Sequence, residues 1–156
     1  MDLKALVRLA LVAAVLGFGS RATAQESVGV NIVVIEAAKS GQGIDKRIQE
    51  LKLNGPIEDA GYTQAKVMDE LETQVARESS VTLEILKKGG KARNLKVTVL
   101  DVDVKNDAVK LEVSIPEFDF KTTTNHKKGG RLMVAHKRSK DSALFLAVTP
   151  KLAPAP

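Results

Sequence analysis

Val109-Lys110-Leu111-Glu112-Val113-Ser114-Ile115 alternates apolar and polar residues without a break. A period of two puts successive side chains on opposite faces of a β-strand, so one face is predicted to be buried and the other solvated. Pro116 ends the strand. Upstream, Val81, Leu83 and Ile85 alternate in the same way, and Lys87-Lys88-Gly89-Gly90 predicts a hairpin turn, because glycine accepts positive φ without steric cost. The strand that follows, 93–104, changes phase. Leu95, Val97 and Val99 are apolar on odd positions, whereas Leu100, Val102 and Val104 are apolar on even ones. A one-residue shift exchanges the two faces, so a bulge near 99–100 is expected, or else a strand covered on both sides. Asn106-Asp107 predicts a turn. Downstream, Phe118, Phe120, Thr122 and Thr124 continue the alternation and Gly129-Gly130 turns the chain. Arg131–His136 and Ala143–Thr149 are predicted as the final pair of strands.

Val28–Ile35 is β-branched and apolar on both faces near its end, and Ala143–Val148 is apolar on both faces throughout. Strands of this kind lie deep in a sheet, and the two are expected to neighbour each other at its centre. Ser40-Gly-Gln-Gly43 breaks the first strand. Ile44, Ile48 and Leu51 then recur at helical spacing with Asp45 in the first turn, which predicts one short amphipathic helix over 44–53. Asn54-Gly55-Pro56 is expected to stop it. Residues 62–77 carry both patterns: Val67, Leu71 and Val75 form a helical stripe, and they also fit alternation, with Asp69 as the exception. Two short strands are preferred there over a helix. With no internal repeat and no linker, the sum is a mainly β (α+β) domain. It is an antiparallel sandwich or open barrel with one short N-terminal helix.

Residues 1–24 are predicted to be an address rather than part of the fold. Lys4 and Arg8 precede an uncharged apolar run from Leu9 to Gly19, and Ala22-Thr23-Ala24 supplies the small residues of a cleavage site. That pattern is a secretory signal peptide, with an uncleaved anchor as the alternative. A single β-rich domain is expected over 25–150, followed by a disordered Pro/Ala tail over 151–156. The mature chain is then exported, periplasmic or extracellular, with no transmembrane segment after signal cleavage. The chain of 156 residues contains no cysteine, which excludes a disulfide framework, a cysteine nucleophile and a thiolate metal site. Its core alone must stabilise the fold. Aromatic residues amount to 3%, which argues against nucleic-acid recognition by stacking.

The formal charge of +5 is unevenly distributed. The predicted signal carries three basic residues and one acid, so the remainder has a net charge of +3. Within 121–140, Lys121, Lys127, Lys128, Arg131, Lys137, Arg138 and Lys140 are joined by no acid. The rest of the mature chain has a net charge of −4. If the strands flanking Gly129-Gly130 pair, these residues form a basic C-terminal hairpin suited to an anionic envelope component or an acidic protein surface. The alternative is a solvated hairpin whose lysines blunt a sheet edge.

No catalytic, cofactor or metal residues are assigned. Asp101, Asp103 and Asp107 gather around one turn, but the central glycine and distal glutamate of a helix–loop–helix calcium site are missing. His126 and His136 could face each other across the hairpin, but a third ligand is lacking. Around Ser40 the chain has Ala38 and Gln42 where a nucleophile elbow needs glycines. Lys39-Ser-Gly-Gln-Gly43 lacks the closing Gly-Lys-Ser/Thr of a phosphate loop. No pair of carboxylates is placed across a cleft by the residue pattern.

Thr122-Thr-Thr124, Lys128-Gly-Gly-Arg-Leu-Met-Val134 and Ala143-Leu-Phe-Leu-Ala-Val-Thr-Pro-Lys-Leu152 together resemble the closing strands of bacterial secretins. The pattern covers residues 122–152. It departs from the family at Ala135-His136-Lys137, where a glycine is usual, and no ring-forming module precedes the match. The resemblance implies a terminal β-hairpin in an envelope protein and not a pore. The expected function is a non-enzymatic exported envelope module acting by surface recognition. A small hydrolase or carbohydrate-active enzyme is one alternative. A structural accessory subunit that adds a strand to an envelope complex is the other.

Overall fold

A computed structural model describes residues 26–87, 91–127 and 129–152, and the predicted signal peptide lies outside them. The chain runs β1 (Ser27–Ala38), β2 (Gly43–Ile44), α1 (Lys46–Glu50), α2 (Asn54–Asp59), β3 (Gln64–Ala76) and β4 (Ser80–Ile85). It continues through β5 (Arg93–Asp103), β6 (Ala108–Ile115), a 3-10 turn (Pro116–Phe118), β7 (Phe120–Lys127), β8 (Leu132–Lys137) and β9 (Ser142–Leu152). Two sheets form, ordered β2-β3-β1-β9-β8 and β4-β5-β6-β7. All pairs are antiparallel except β2 with β3. The predicted mainly β sandwich is the fold observed.

The sheets face each other, and the helices cover the far side of the five-stranded one. Val30, Ile32 and Val34 of β1 with Leu144, Leu146 and Val148 of β9 meet Leu95, Val97, Leu111 and Val113 of the four-stranded sheet. The alternate residues Val33, Ile35, Phe145 and Ala147 pack instead with Ile48, Leu53, Ile57 and Tyr62 from the helical segment. Three layers therefore enclose two cores. β1 and β9 lie in the middle layer and need apolar residues on both faces, and they pair along their whole length, Val28↔Leu152 through Ala38↔Ser142. The outer sheet has only one covered face, so β6 keeps the clean alternation.

The helical prediction is corrected. The segment predicted as one helix over 44–53 holds only the shorter α1 and is followed by α2, which starts at the Asn54-Gly55-Pro56 expected to terminate it. Lys52 takes a positive φ of 55° and breaks the path between them. Pro56 falls in the first turn of α2, where a missing N–H costs nothing and the fixed φ suits a helix. Arg47 binds Glu70 of β3 in bidentate fashion at 2.6 and 3.1 Å, tying α1 to the sheet and holding the Glu70 carboxyl below its ordinary range.

Residues 64–76 form one continuous strand rather than two. Its register with β1 slips between Val34↔Asp69 and Ile35↔Val67, leaving Met68 as an extra residue. The bulge transfers odd positions from one core to the other: Ala65 and Val67 face the helices, whereas Leu71 and Val75 face the second sheet. Asp69, the polar exception, accepts the Leu86 backbone N–H at 2.6 Å. It thereby secures the end of β4, where Leu86 has a φ of 62°. The bulge expected in β5 is present, with the register slipping between Val99 and Asp101. Leu100 is the extra residue, and it is exposed. At the C-terminus β9 extends to Leu152, so the strand includes two residues assigned by sequence to the tail, and residues 153–156 lie outside the described ones.

Candidate functional site

The basic segment 121–140 spans both strands on one side of the sandwich. β7 is the edge of the four-stranded sheet and β8 the edge of the five-stranded one. The predicted pairing across Gly129-Gly130 is therefore corrected: β7 pairs with β6, and β8 pairs with β9. The segment between them is a crossover from one sheet to the other. Side-chain demand explains this. β8 has apolar residues on both faces, with Leu132 packing into the inter-sheet core and Met133 against the helical cluster. Only the middle layer has covers on both sides. β7 has an inward face of Phe120, Thr122, Thr124 and His126, which fits the one-sided outer sheet beside Ile115, Val113, Leu111 and Val109. Gly130 makes the crossover tight: its N–H donates to the Lys127 carbonyl at 2.8 Å, and a Cβ there would sit 2.8 Å from that oxygen.

The bases fall into two groups. His136, near the end of β8, stacks on Phe118 just before β7, with ring centroids 4.6 Å apart and planes 7° from parallel. The end of one edge strand therefore lies beside the start of the other. Lys121, Lys137, Arg138 and Lys140 gather towards this end, and Lys127 and Arg131 towards the crossover. Lys121 is held by Glu112 at 3.2 Å and Arg138 reaches Glu36 at 3.9 Å. The Arg131 guanidinium donates to the Leu51 carbonyl at 2.8 Å, pinning the crossover to the end of α1. Lys127, Lys137 and Lys140 are exposed and have no carboxylate within ion-pair distance among the described residues. Lys128 lies outside the described residues.

A cleft of about 440 Å³ opens at one end of the four-stranded sheet, bordered by Asp101, Asp103, Lys110, Asn125 and Lys127 over Ala108. Both carboxylates are engaged. Asp101 binds Arg77 at 2.8 Å. Asp103 accepts the side-chain amide of Asn106 at 2.7 Å and its backbone N–H at 3.2 Å, bonds that lower its pKa below the ordinary value. The turn thus uses Asp103 to cap itself. Among the described residues no three His, Asp or Glu side chains gather as a metal site would require.

The two histidines have different partners. His126 points inward, buried, with Nε2 at 2.6 Å from the Thr124 hydroxyl. Burial lowers its pKa below 6.5 by disfavouring the charged ring. The unfolded chain then binds more protons just below 6.5 than the folded one. Stability is therefore expected to fall as pH drops through the unfolded value of about 6.5 towards the folded pKa, and to level off below it. Urea titrations across this range should show that slope, and His126→Gln should flatten it.

The Arg93–Phe118–His136 stack, with Arg93 at 5.5 Å from the Phe118 ring, links the start of β5, the turn before β7 and the end of β8. No sequence signal identified it, because its members come from three separate segments. No family model, curated protein or solved structure matches the chain.

Proposed function

We propose that this protein is a non-enzymatic, exported module of a bacterial envelope that recognises an anionic partner along the basic seam formed by segment 121–140. One observation carries this reading. The segment contains seven bases and no acid, and it includes both edge strands on one side of the sandwich. Recognition is then a property of a long, rigid border rather than of a projecting hairpin. The partly spent carboxylates around the cleft favour binding over acid–base chemistry, since Asp101 and Asp103 already serve Arg77 and Asn106.

Reversing Lys127, Lys137 and Lys140 to Glu is expected to abolish cosedimentation with envelope membranes at low salt. Wild-type binding should itself weaken as salt shortens the range of charge contacts to about 10 Å at 0.1 M. Undiminished binding of the triple variant at low salt would exclude the seam. Export rests on the pattern of residues 1–24. Among the described residues, no helix is long and apolar enough to cross a membrane. Protein recovered from the envelope fraction should begin at Gln25 by N-terminal sequencing. A start at Met1 in the cytosolic fraction would refute export.

A further inference from the structure

We propose that the free edge of β8 takes up an extended acidic segment of a partner protein as a sixth strand of the five-stranded sheet. This rests on the reading of 121–140 as a recognition surface and names the kind of partner.

The geometry of the edge carries the inference. Among the described residues β8 has β9 as its single neighbour, and the register runs from Leu132↔Val148 to Lys137↔Ala143 without a shift. The Arg138 N–H donates to the Ser142 carbonyl at 3.0 Å, which identifies 138 and 142 as a hydrogen-bonded pair. Antiparallel ladders alternate such pairs with non-bonded ones. Leu132, Val134 and His136 therefore bond to β9, and Met133, Ala135 and Lys137 direct their N–H and C=O groups away from the sheet. Natural edges are usually protected by proline, a bulge or an inward-pointing charge. Between Leu132 and His136 there is none of these. The half-buried Leu132 and Met133 serve different cores, so an added strand could extend both apolar layers. The other edges are poorer: β2 has two residues, β4 carries the acid Glu84, which would repel an acidic strand, and the outward face of β7 presents Lys121, Thr123, Asn125 and Lys127.

Charge selects the occupant. Lys137 and Lys140 lie at this edge with no carboxylate in ion-pair distance among the described residues, Arg131 and Arg138 add positive charge beside them although each already has a partner, and the segment holds no acid. A second copy is disfavoured. Antiparallel self-pairing centred on Ala135 would set Arg131 of one copy opposite Ser139 of the other, between Arg138 and Lys140. An acidic strand satisfies the same bases and the outward backbone groups together, the mode known as strand addition. A lipid surface could meet the bases but could not extend the ladder.

The purified protein is to be mixed with a synthetic peptide of about twelve residues alternating valine with glutamate, somewhat longer than an average strand. Polyglutamate of equal charge and phosphatidylglycerol vesicles are the comparisons. The expected result is slowing of amide exchange by about tenfold or more at Met133, Ala135 and Lys137, with little change at Leu132, Val134 and His136. Ala135→Pro removes one outward N–H without breaking a bond to β9 and should weaken the alternating peptide by about tenfold or more while leaving vesicle binding intact. Ala135→Glu, which keeps the backbone intact and repels an acidic strand, should likewise weaken the alternating peptide if the proline variant fails to fold. Equal binding of polyglutamate with unprotected β8 amides would overturn strand addition and leave the basic seam standing. Binding to vesicles alone would overturn it in favour of a membrane surface. Loss of all binding at low salt would overturn both.

Discussion

Phe145→Ala is expected to lower the unfolding free energy by about 3–5 kcal/mol, the usual range for truncating a buried aromatic. Phe145 is 3% exposed and lies on the face of β9 that meets the helices. Its ring packs edge-on against Tyr62 with centroids 5.5 Å apart, an arrangement favoured by the opposite charge of ring face and ring edge. Around it stand Ile48, Leu53 and Ile57, which attach α1 and α2 to the sheet. Both helices are short, five and six residues, and have little stability without that contact. The variant should therefore lose the helical layer first. Amide exchange is the discriminating measurement: residues 46–60 should exchange much faster than β5 and β6. Uniform loss of protection throughout the chain would show that the two cores unfold as one unit.

Leu146→Ala, one residue further along β9, is expected to cost about 2–5 kcal/mol through lost burial and the cavity left behind. Leu146 is 2% exposed and sits in the inter-sheet core. It joins the two sheets, so its loss should lower the urea midpoint of the whole domain without a separate early transition in the helices. Adjacent residues of one strand thus test two different layers. Coincident profiles for the two variants would contradict a three-layer arrangement. A loss near 1 kcal/mol at Leu146 would mean that the sheets can close over the gap.

How far the residues reveal the fold depends on how many faces a strand has to satisfy. β6 lies in the outer sheet with one side wet, and Val109 through Ile115 state its type and orientation directly. β1 and β9 are apolar on both sides because they lie between two covers, and their central pairing follows from that need. The β5 bulge is visible as a phase change at Leu100, since its apolar residues move from odd to even positions. The β3 bulge is concealed. Apart from Asp69 and Thr73 the odd positions stay apolar across it, but Val67 serves the helical core and Leu71 the inter-sheet core. Alternation survives in the residue pattern while the faces exchange in space.

The candidate surface divides in the same way. The absence of acids from 121–140 is a property of the chain and holds in any fold. Which of the seven bases there are free is not. Arg131 is occupied by a carbonyl of α1, Lys121 by Glu112 and Arg138 by Glu36, partners remote in the chain except for the neighbouring strand. A glycine pair marks a turn equally well whether the flanking strands pair or part, because its conformational freedom is local and strand pairing is not.

The chain by itself therefore determined the β class, the positions of most strands, the double-sided character of β1 and β9, and the concentration of positive charge. Local alternation and composition suffice for these, since each depends on residues a few positions apart. Tertiary structure alone decided that Gly129-Gly130 carries the chain between sheets, that the bases line a seam between two edges, and that β8 has one side unpaired among the described residues. Those outcomes follow from where Leu132 and Met133 could both be buried. That condition was set by the helices and the second sheet, and by nothing within the segment itself.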